Sequence, residues 1–337
     1  MKPVVIEERF TWPVRAVLLG GGGRSGHLLP DQECGLSTLG YYKTEISGIF
    51  TVSVGECMQR EGITLLSYGD CIKPGYYRIH SSFENAINFT EGKRLVSLVN
   101  MQAGNGPFHI VLSQLDRFRI DSIRLTERYL EAEGVRFEFE GSKKFISVPS
   151  PSFINSASAL RLLLRFQDIL IQSSPALSLV FLIDGRRKRN LVSAFEKALA
   201  ERAVSGWTYF MEGKVEEGAR IMRGVGYGFT PGGDDFIAGI ATGLYMLQRF
   251  FGGDVSEELE VILRNSVSGN VVADSFIALA AKGHFMEGIK NFIEAIVEGN
   301  EKKFVFRAPE LIEMGETSGA DFSTGILCAF KMHGMFD

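Results

Sequence analysis

Val148-Pro149-Ser150-Pro151-Ser152 divides the chain into two stretches that follow different periodicities. Each proline removes a backbone donor and holds the residue before it extended, so neither a sheet ladder nor a helix runs smoothly through the segment. Before it, short runs rich in β-branched and aromatic residues at 14–19, 49–54, 63–67, 76–80, 95–99, 108–112 and 136–139 are punctuated by Gly, Pro or Asn and read as strands. One stretch, 116–133, spaces Ile120, Ile123, Leu125 and Leu130 so that a helix laid on the sheet would bury them. After the prolines the pattern lengthens, and helices are expected over 156–172, 190–204, 207–223, 234–251, 256–267, 271–282, 286–298 and 320–331. The apolar run 177–183 also fits a buried strand. The fold class is therefore α+β, with a β-rich N-terminal domain over 1–150 followed by a mainly α-helical C-terminal domain over 151–337.

Composition narrows the function. With 337 residues, 45% of them hydrophobic and 23% charged, the chain has the balance of a globular protein rather than a disordered, collagen-like or coiled-coil one. Its 36 bases against 40 acids leave a net charge of −4 with no long basic run, so a nucleic-acid partner is not expected. No apolar stretch approaches the roughly 18 residues of a membrane span. Glu7 and Glu8 arrive before any signal-peptide core, and Cys34, Cys57, Cys71 and Cys328 show no close pairing, which together point to reduced thiols in the cytoplasm.

The segment richest in chemistry is Gly224-Val225-Gly226-Tyr227-Gly228-Phe229-Thr230-Pro231-Gly232-Gly233-Asp234-Asp235, which opens a helix continuing through Phe236, Ile240, Leu244 and Leu247. Thr230 suits a helix cap, Pro231 a first turn, and the acids complement the helix dipole. These roles leave over the glycines, which let backbone amides approach an anion, and the adjacent carboxylates, which suit a divalent cation or a general base. Near the C-terminus, Thr317-Ser318-Gly319-Ala320-Asp321 opens the last helix, where Ser318 with Asp321 matches a capping box. Asp235, Gly239 and Gly243 fall on one helical row, as do Asp321, Gly325 and Ala329, and a third helix carries Asp274 with Ser275 beside it and Asn270 before it. If these helix starts converge, Thr230, Asp234, Asp235 and Asp321 are candidate catalytic groups. Gly226, Gly228, Gly232, Gly233, Ser318, Gly319 and Ser275 are then candidate binding groups, with Mg²⁺ a candidate ligand of Asp234, Asp235 and Asp321.

Other features carry less. The loop Gly20-Gly21-Gly22-Gly23-Arg24-Ser25-Gly26 follows a strand, but Pro30 arrives where a dinucleotide-binding helix should begin, so it reads as a hairpin or as an anion loop through Arg24. His27, His80, His109, His284 and His333 have no metal-site spacing, and no nucleophile elbow is present. Arg186-Arg187-Lys188-Arg189 reads as a solvated turn before a helix capped at Asn190.

Gly226-x-Gly228-Phe229-Thr230-Pro231-Gly232-Gly233-Asp234-Asp235-Phe236 resembles the central signature of the AllH-type family. Phe83-Glu84-Asn85-Ala86-Ile87-Asn88, Gly104-Asn105-Gly106-Pro107-Phe108 and Thr317-Ser318-Gly319-Ala320-Asp321 support the likeness across both halves, and Asn88 joins the candidate binding residues on this ground. Phe229 stands where the family usually has Leu, and Gly232 where it usually has Ser. The resemblance implies a subunit of an oxamate carbamoyltransferase that acts with FdrA-like and other subunits in allantoin degradation, a branch of purine catabolism. The implied reaction exchanges a carbamoyl group between oxalurate and phosphate. Two other classes stay open: a non-catalytic subunit whose glycines pack helices and whose cleft docks a partner, and a stand-alone Mg²⁺-dependent hydrolase of a small phosphorylated or amide substrate.

Overall fold

The computed structural model describes residues 62–115 and 120–336. The strands expected over 14–19 and 49–54, the Gly20–Gly26 loop, His27, Cys34 and Cys57 lie outside them. Every described strand precedes the proline pair and every described helix follows it, which is the α+β arrangement that the change of period implies.

The strands are β1 (Leu65–Gly69), β2 (Gly75–Ser82), β3 (Ala86–Glu91), β4 (Arg94–Val99), β5 (His109–Leu112), β6 (Ser122–Leu125), β7 (Tyr129–Ala132), β8 (Val135–Glu138) and β9 (Lys143–Phe145). They form a nine-stranded sheet in the order β8-β7-β6-β2-β3-β4-β5-β1-β9. Its pairs are antiparallel except β4 with β5 and β1 with β9. Tyr77, Phe89, Leu98, Ile110 and Ile123 fill one buried cluster on the sheet.

Of the helix expected over 116–133, the described part, 120–133, is instead the hairpin β6–β7. Ile123 and Leu125 are buried while Arg124 between them is exposed, a period of two rather than 3.6. The turn is closed by Thr126, whose hydroxyl accepts from the amides of Arg128 and Tyr129, so the hairpin needs no glycine to announce it.

The helices are α1 (Ser156–Ser173), α2 (Ala194–Met211), α3 (Val215–Met222), α4 (Gly232–Phe250), α5 (Ser256–Asn265), α6 (Val271–Ala280), α7 (Glu287–Val297), α8 (Glu301–Ile312) and α9 (Ser318–Met332). The apolar run 177–183 is not a strand but a 3-10 helix, Leu179–Leu182. The basic cluster lies in a second one, Gly185–Asn190, where the Arg187 guanidinium donates to the carbonyls of Ile171, Ser174 and Pro175. Asn190 caps nothing. The next helix starts later, on a capping box between Ser193 and Glu196. The run 207–223 is two helices rather than one, because the backbone turns at Gly213 with φ +74°.

α4 and α9 are buried almost all round, as their unbroken apolar and small-residue sequences require. They lie against each other at the centre of the helical core, while α6 packs on β4. A small apolar cluster of Leu95, Phe108 and Val272 joins sheet to helices. Among the described residues no helix is long and apolar enough to cross a membrane.

Candidate functional site

The glycine-rich loop reaches α4 through backbone geometry that glycine alone permits. Gly226 has φ +120°, and a Cβ there would sit 2.8 Å from the Gly232 nitrogen. The Gly233 amide donates to the Val225 carbonyl at 2.7 Å, folding the loop back on the helix start. Pro231, not Thr230, is the cap residue, and it makes no side-chain cap bond. The Thr230 hydroxyl is thereby left to donate to Asp235 Oδ2 at 3.3 Å, and it lies 3.5 Å from the Ser318 hydroxyl. Ser318 is likewise not a cap but the first residue of α9, beyond Thr317.

These groups open onto a cavity of about 140 Å³ between the sheet and the helix starts. Its polar lining comes from Asn88 on β3, Ser97 on β4, His109 on β5, Thr230 and Asp235 at α4, Ser318 at α9, and His284 in the loop between α6 and α7. Phe83, Phe108, Phe229, Phe276 and Phe285 make most of the remainder apolar. The Ser97 hydroxyl donates to Asn88 Oδ1 at 2.6 Å, and Asn88 Nδ2 donates to the Ser81 hydroxyl at 3.0 Å, so the amide's orientation is fixed from both ends. Phe229 stacks edge-on against Phe83 with ring centroids 4.7 Å apart.

The other candidates are placed elsewhere. Asp321 turns to a separate, smaller cavity of about 50 Å³, whose walls also include Gly226 and Gly232. There its Oδ1 accepts from the Leu179 amide at 2.6 Å. Asp234 Oδ1 accepts from the Gly224 amide at 2.7 Å and closes the loop on itself. Gly233 and Gly319 serve close packing: a Cβ on either would lie 2.1 Å from a carbonyl oxygen, that of Met222 or of Leu311. Gly228 takes φ +98° in the loop, and the Ser275 hydroxyl bonds back to the Val271 carbonyl within α6. Neither lines the cavity.

Burial governs the charges. It pushes the Asp235 carboxyl well above the ordinary range, the neighbouring Asp321 and Asp234 add to this, and the hydroxyls of Ser318 and Thr230 oppose it. Burial also raises Asp321, to about 7, and raises Asp234. The three carboxylates do not gather as one set within metal-sharing distance. Among the described residues the group that does is Asp70, Cys71 and His284, with atoms within 4.8 Å. His109 is held neutral, its pKa lowered to about 4 by burial. No Lys or Arg stands among the described residues that line the cavity. Sequence reasoning passed over Ser97, His109 and His284, since no local spacing links them and only the fold brings them together.

Comparison with known proteins matches residues 222–330 to a family described as oxamate carbamoyltransferase subunit AllH, and residues 59–144 to the AllH family N-terminal domain. No curated protein and no solved structure matches the chain.

Proposed function

The chain belongs to the AllH family, and from that premise we propose that it is the carbamoyl-binding subunit of an oxamate carbamoyltransferase-like enzyme, with the 140 Å³ cavity as its site. One observation carries the reading. Each of the four segments that resemble the family contributes to the wall of this single cavity: Phe83, Ala86 and Asn88 from the first, Pro107 and Phe108 from the second, Phe229, Thr230 and Asp235 from the third, and Ser318 from the fourth.

In the reaction a phosphate oxygen attacks the carbamoyl carbon of oxalurate, the bond from that carbon to nitrogen breaks, and the proton lost by phosphate ends on the departing oxamate nitrogen. Negative charge develops on the carbamoyl oxygen. A carboxyl whose pKa is raised as that of Asp235 is carries a proton at higher pH than usual and can donate it in a hydrogen bond to that oxygen. The Thr230 hydroxyl, which donates to Asp235, holds that carboxyl in place, with the Ser318 hydroxyl beside it. No Lys or Arg stands among the described lining residues, which accords with a complex in which another subunit, FdrA-like by the family's association, meets the phosphate dianion.

Two outcomes are expected. The isolated chain forms little carbamoyl phosphate, whereas reconstitution with its partner subunits restores phosphate-dependent cleavage of oxalurate. Within the assembled complex, Asp235→Ala lowers kcat by on the order of 100-fold for the loss of a donor to the developing oxyanion, and Thr230→Ala, which releases that carboxyl, lowers it in the same direction. Full activity from the chain alone would replace the subunit reading with a stand-alone enzyme. Undiminished turnover by both variants in an intact complex would return the glycine loop to a packing role and favour a docking subunit.

A further inference from the structure

We infer that the histidine side of the cavity receives the uncharged, N–H-bearing end of the ligand, a carbamoyl or ureido group, on the Nε2 atoms of His109 and His284 acting as paired acceptors. The inference rests on the reading above that this cavity is the substrate site, and it specifies which end of the substrate lies where.

Proton counting carries it. His109 Nδ1 lies 2.9 Å from the Gly104 carbonyl, which can only accept, so Nδ1 carries the hydrogen and Nε2 of the neutral ring keeps its lone pair. His284 is fixed by a longer chain. Asp70 accepts from the Ser147 amide at 3.0 Å, from the Ser147 hydroxyl at 2.6 Å and from the Cys71 thiol at 3.7 Å. The one proton of the Ser147 hydroxyl is therefore committed to Asp70. The 2.8 Å contact between that hydroxyl and His284 Nδ1 must then be donated by the ring, so that in the neutral tautomer Nε2 is the acceptor.

The surroundings hold this arrangement rigid. Ser147 is fully buried, and its carbonyl accepts from the Phe285 amide at 3.1 Å. Gly283 takes φ +79° against the ring of Tyr245, so the loop carrying His284 follows a path closed to other residues. The same hydroxyl also answers the nearness of Asp70, Cys71 and His284 to one another. It bridges Asp70 Oδ1 and His284 Nδ1, joining two of the three residues through a hydrogen-bonded chain.

Two acceptors on an otherwise apolar wall without a Lys or Arg among its described residues select against carboxylate and phosphate, whose lone pairs would oppose theirs, and in favour of a group with two N–H donors. The carbamoyl –NH₂ meets that requirement. Its carbonyl oxygen then faces the Asp235 carboxyl at the start of α4.

Carbamoyl phosphate and acetyl phosphate test this, because they share charge and shape and differ in –NH₂ against –CH₃ on the transferred carbonyl. Calorimetric titration of the full chain, and of the reconstituted complex, is expected to give carbamoyl phosphate about tenfold tighter binding than acetyl phosphate, the worth of a donor correctly met in a buried site. His109→Phe and His284→Phe are each expected to shrink that preference. Ser147→Ala, which frees the His284 ring to exchange its hydrogen while leaving the ring in place, is expected to shrink it with little loss of melting temperature. Equal affinity for the two ligands, binding of neither, or a preference unmoved in all three variants would overturn the inference. Discrimination that persists without carbamoyl phosphate formation would count against the transferase reading alone. Turnover that persists without discrimination would count against this inference alone.

Discussion

Gly239→Ala and Gly325→Ala, made singly, are each expected to destabilise the protein by about 3 kcal/mol or more, among the largest losses available from adding one methyl group. The two glycines face each other where α4 crosses α9. A Cβ on Gly239 would lie 2.0 Å from the Phe322 carbonyl oxygen, and one on Gly325 would lie 2.1 Å from that of Phe236. Neither clash involves a side chain that can rotate away, so the helices themselves must separate. Separation would cost the dispersion contacts along the most buried pair of described elements. It would also move Thr230 and Asp235 away from Ser318, since these groups sit at the starts of the same helices. Thermal or urea unfolding of the two variants should show the loss. Gly288→Ala serves as control, because a Cβ there meets nothing within 4 Å and alanine favours the helix α7. If Gly239→Ala melts where Gly288→Ala does, the crossing is looser than this backbone contact requires.

That crossing is legible in the residues themselves. The rows Asp235-Gly239-Gly243 and Asp321-Gly325-Ala329 are helical in period and small where backbones must meet, and the structure pairs them. Periodicity serves less well where local chemistry conceals an element. The α8 segment carries Pro309 in its last turn, which hides a helix whose other residues, Phe304, Ala308 and Leu311, keep the expected spacing. β3 includes Asn88, a residue that reads as punctuation until Ser97 and Ser81 are seen to satisfy its amide. The candidate site divides in the same way. Thr230, Asp235, Ser318 and Asn88 reach one cavity because they stand at helix starts or on a strand facing them. Asp321 shares the helix start but turns toward Leu179, and only the path of the 3-10 helix decides that. Asp70, Ser147 and His284 are joined across 77 and 137 residues of sequence, a distance at which no local pattern survives.

Asp321 supplies the second large effect, read as a dependence of stability on pH. In the unfolded chain its carboxyl titrates near 3.8, whereas burial raises it to about 7 in the folded protein, against the opposing hydrogen bonds from the Leu179 amide and the Thr317 side chain. Between these values the unfolded state has released its proton while the folded state retains it. The folded state then binds more protons, so stability falls as pH rises from about 4 to about 7 and levels off above. At 1.36 kcal/mol per unit, the fall is about 4 kcal/mol. Asp235, raised by the same burial, acts in the same direction. His109, lowered to about 4 by burial, has the opposite slope from about pH 4 to 6.5 and offsets much of this fall in the wild type, as does Glu298, held below its ordinary value chiefly by the Ser152 amide, below about pH 4.5. Asp321→Asn isolates the effect, because the amide keeps an Oδ1 to accept from Leu179 and has no charge to release. Urea unfolding at intervals from pH 4.5 to 8.5 is expected to show the variant gaining stability relative to the wild type up to about pH 7, because the contribution of His109 is common to both and cancels in the difference. The two should lie close together at the acid end, with the variant the more stable at pH 8. A variant whose stability follows that of the wild type in parallel between pH 5 and 8 would mean that water or a cation reaches Asp321 in the folded state and relieves the burial that raises its pKa.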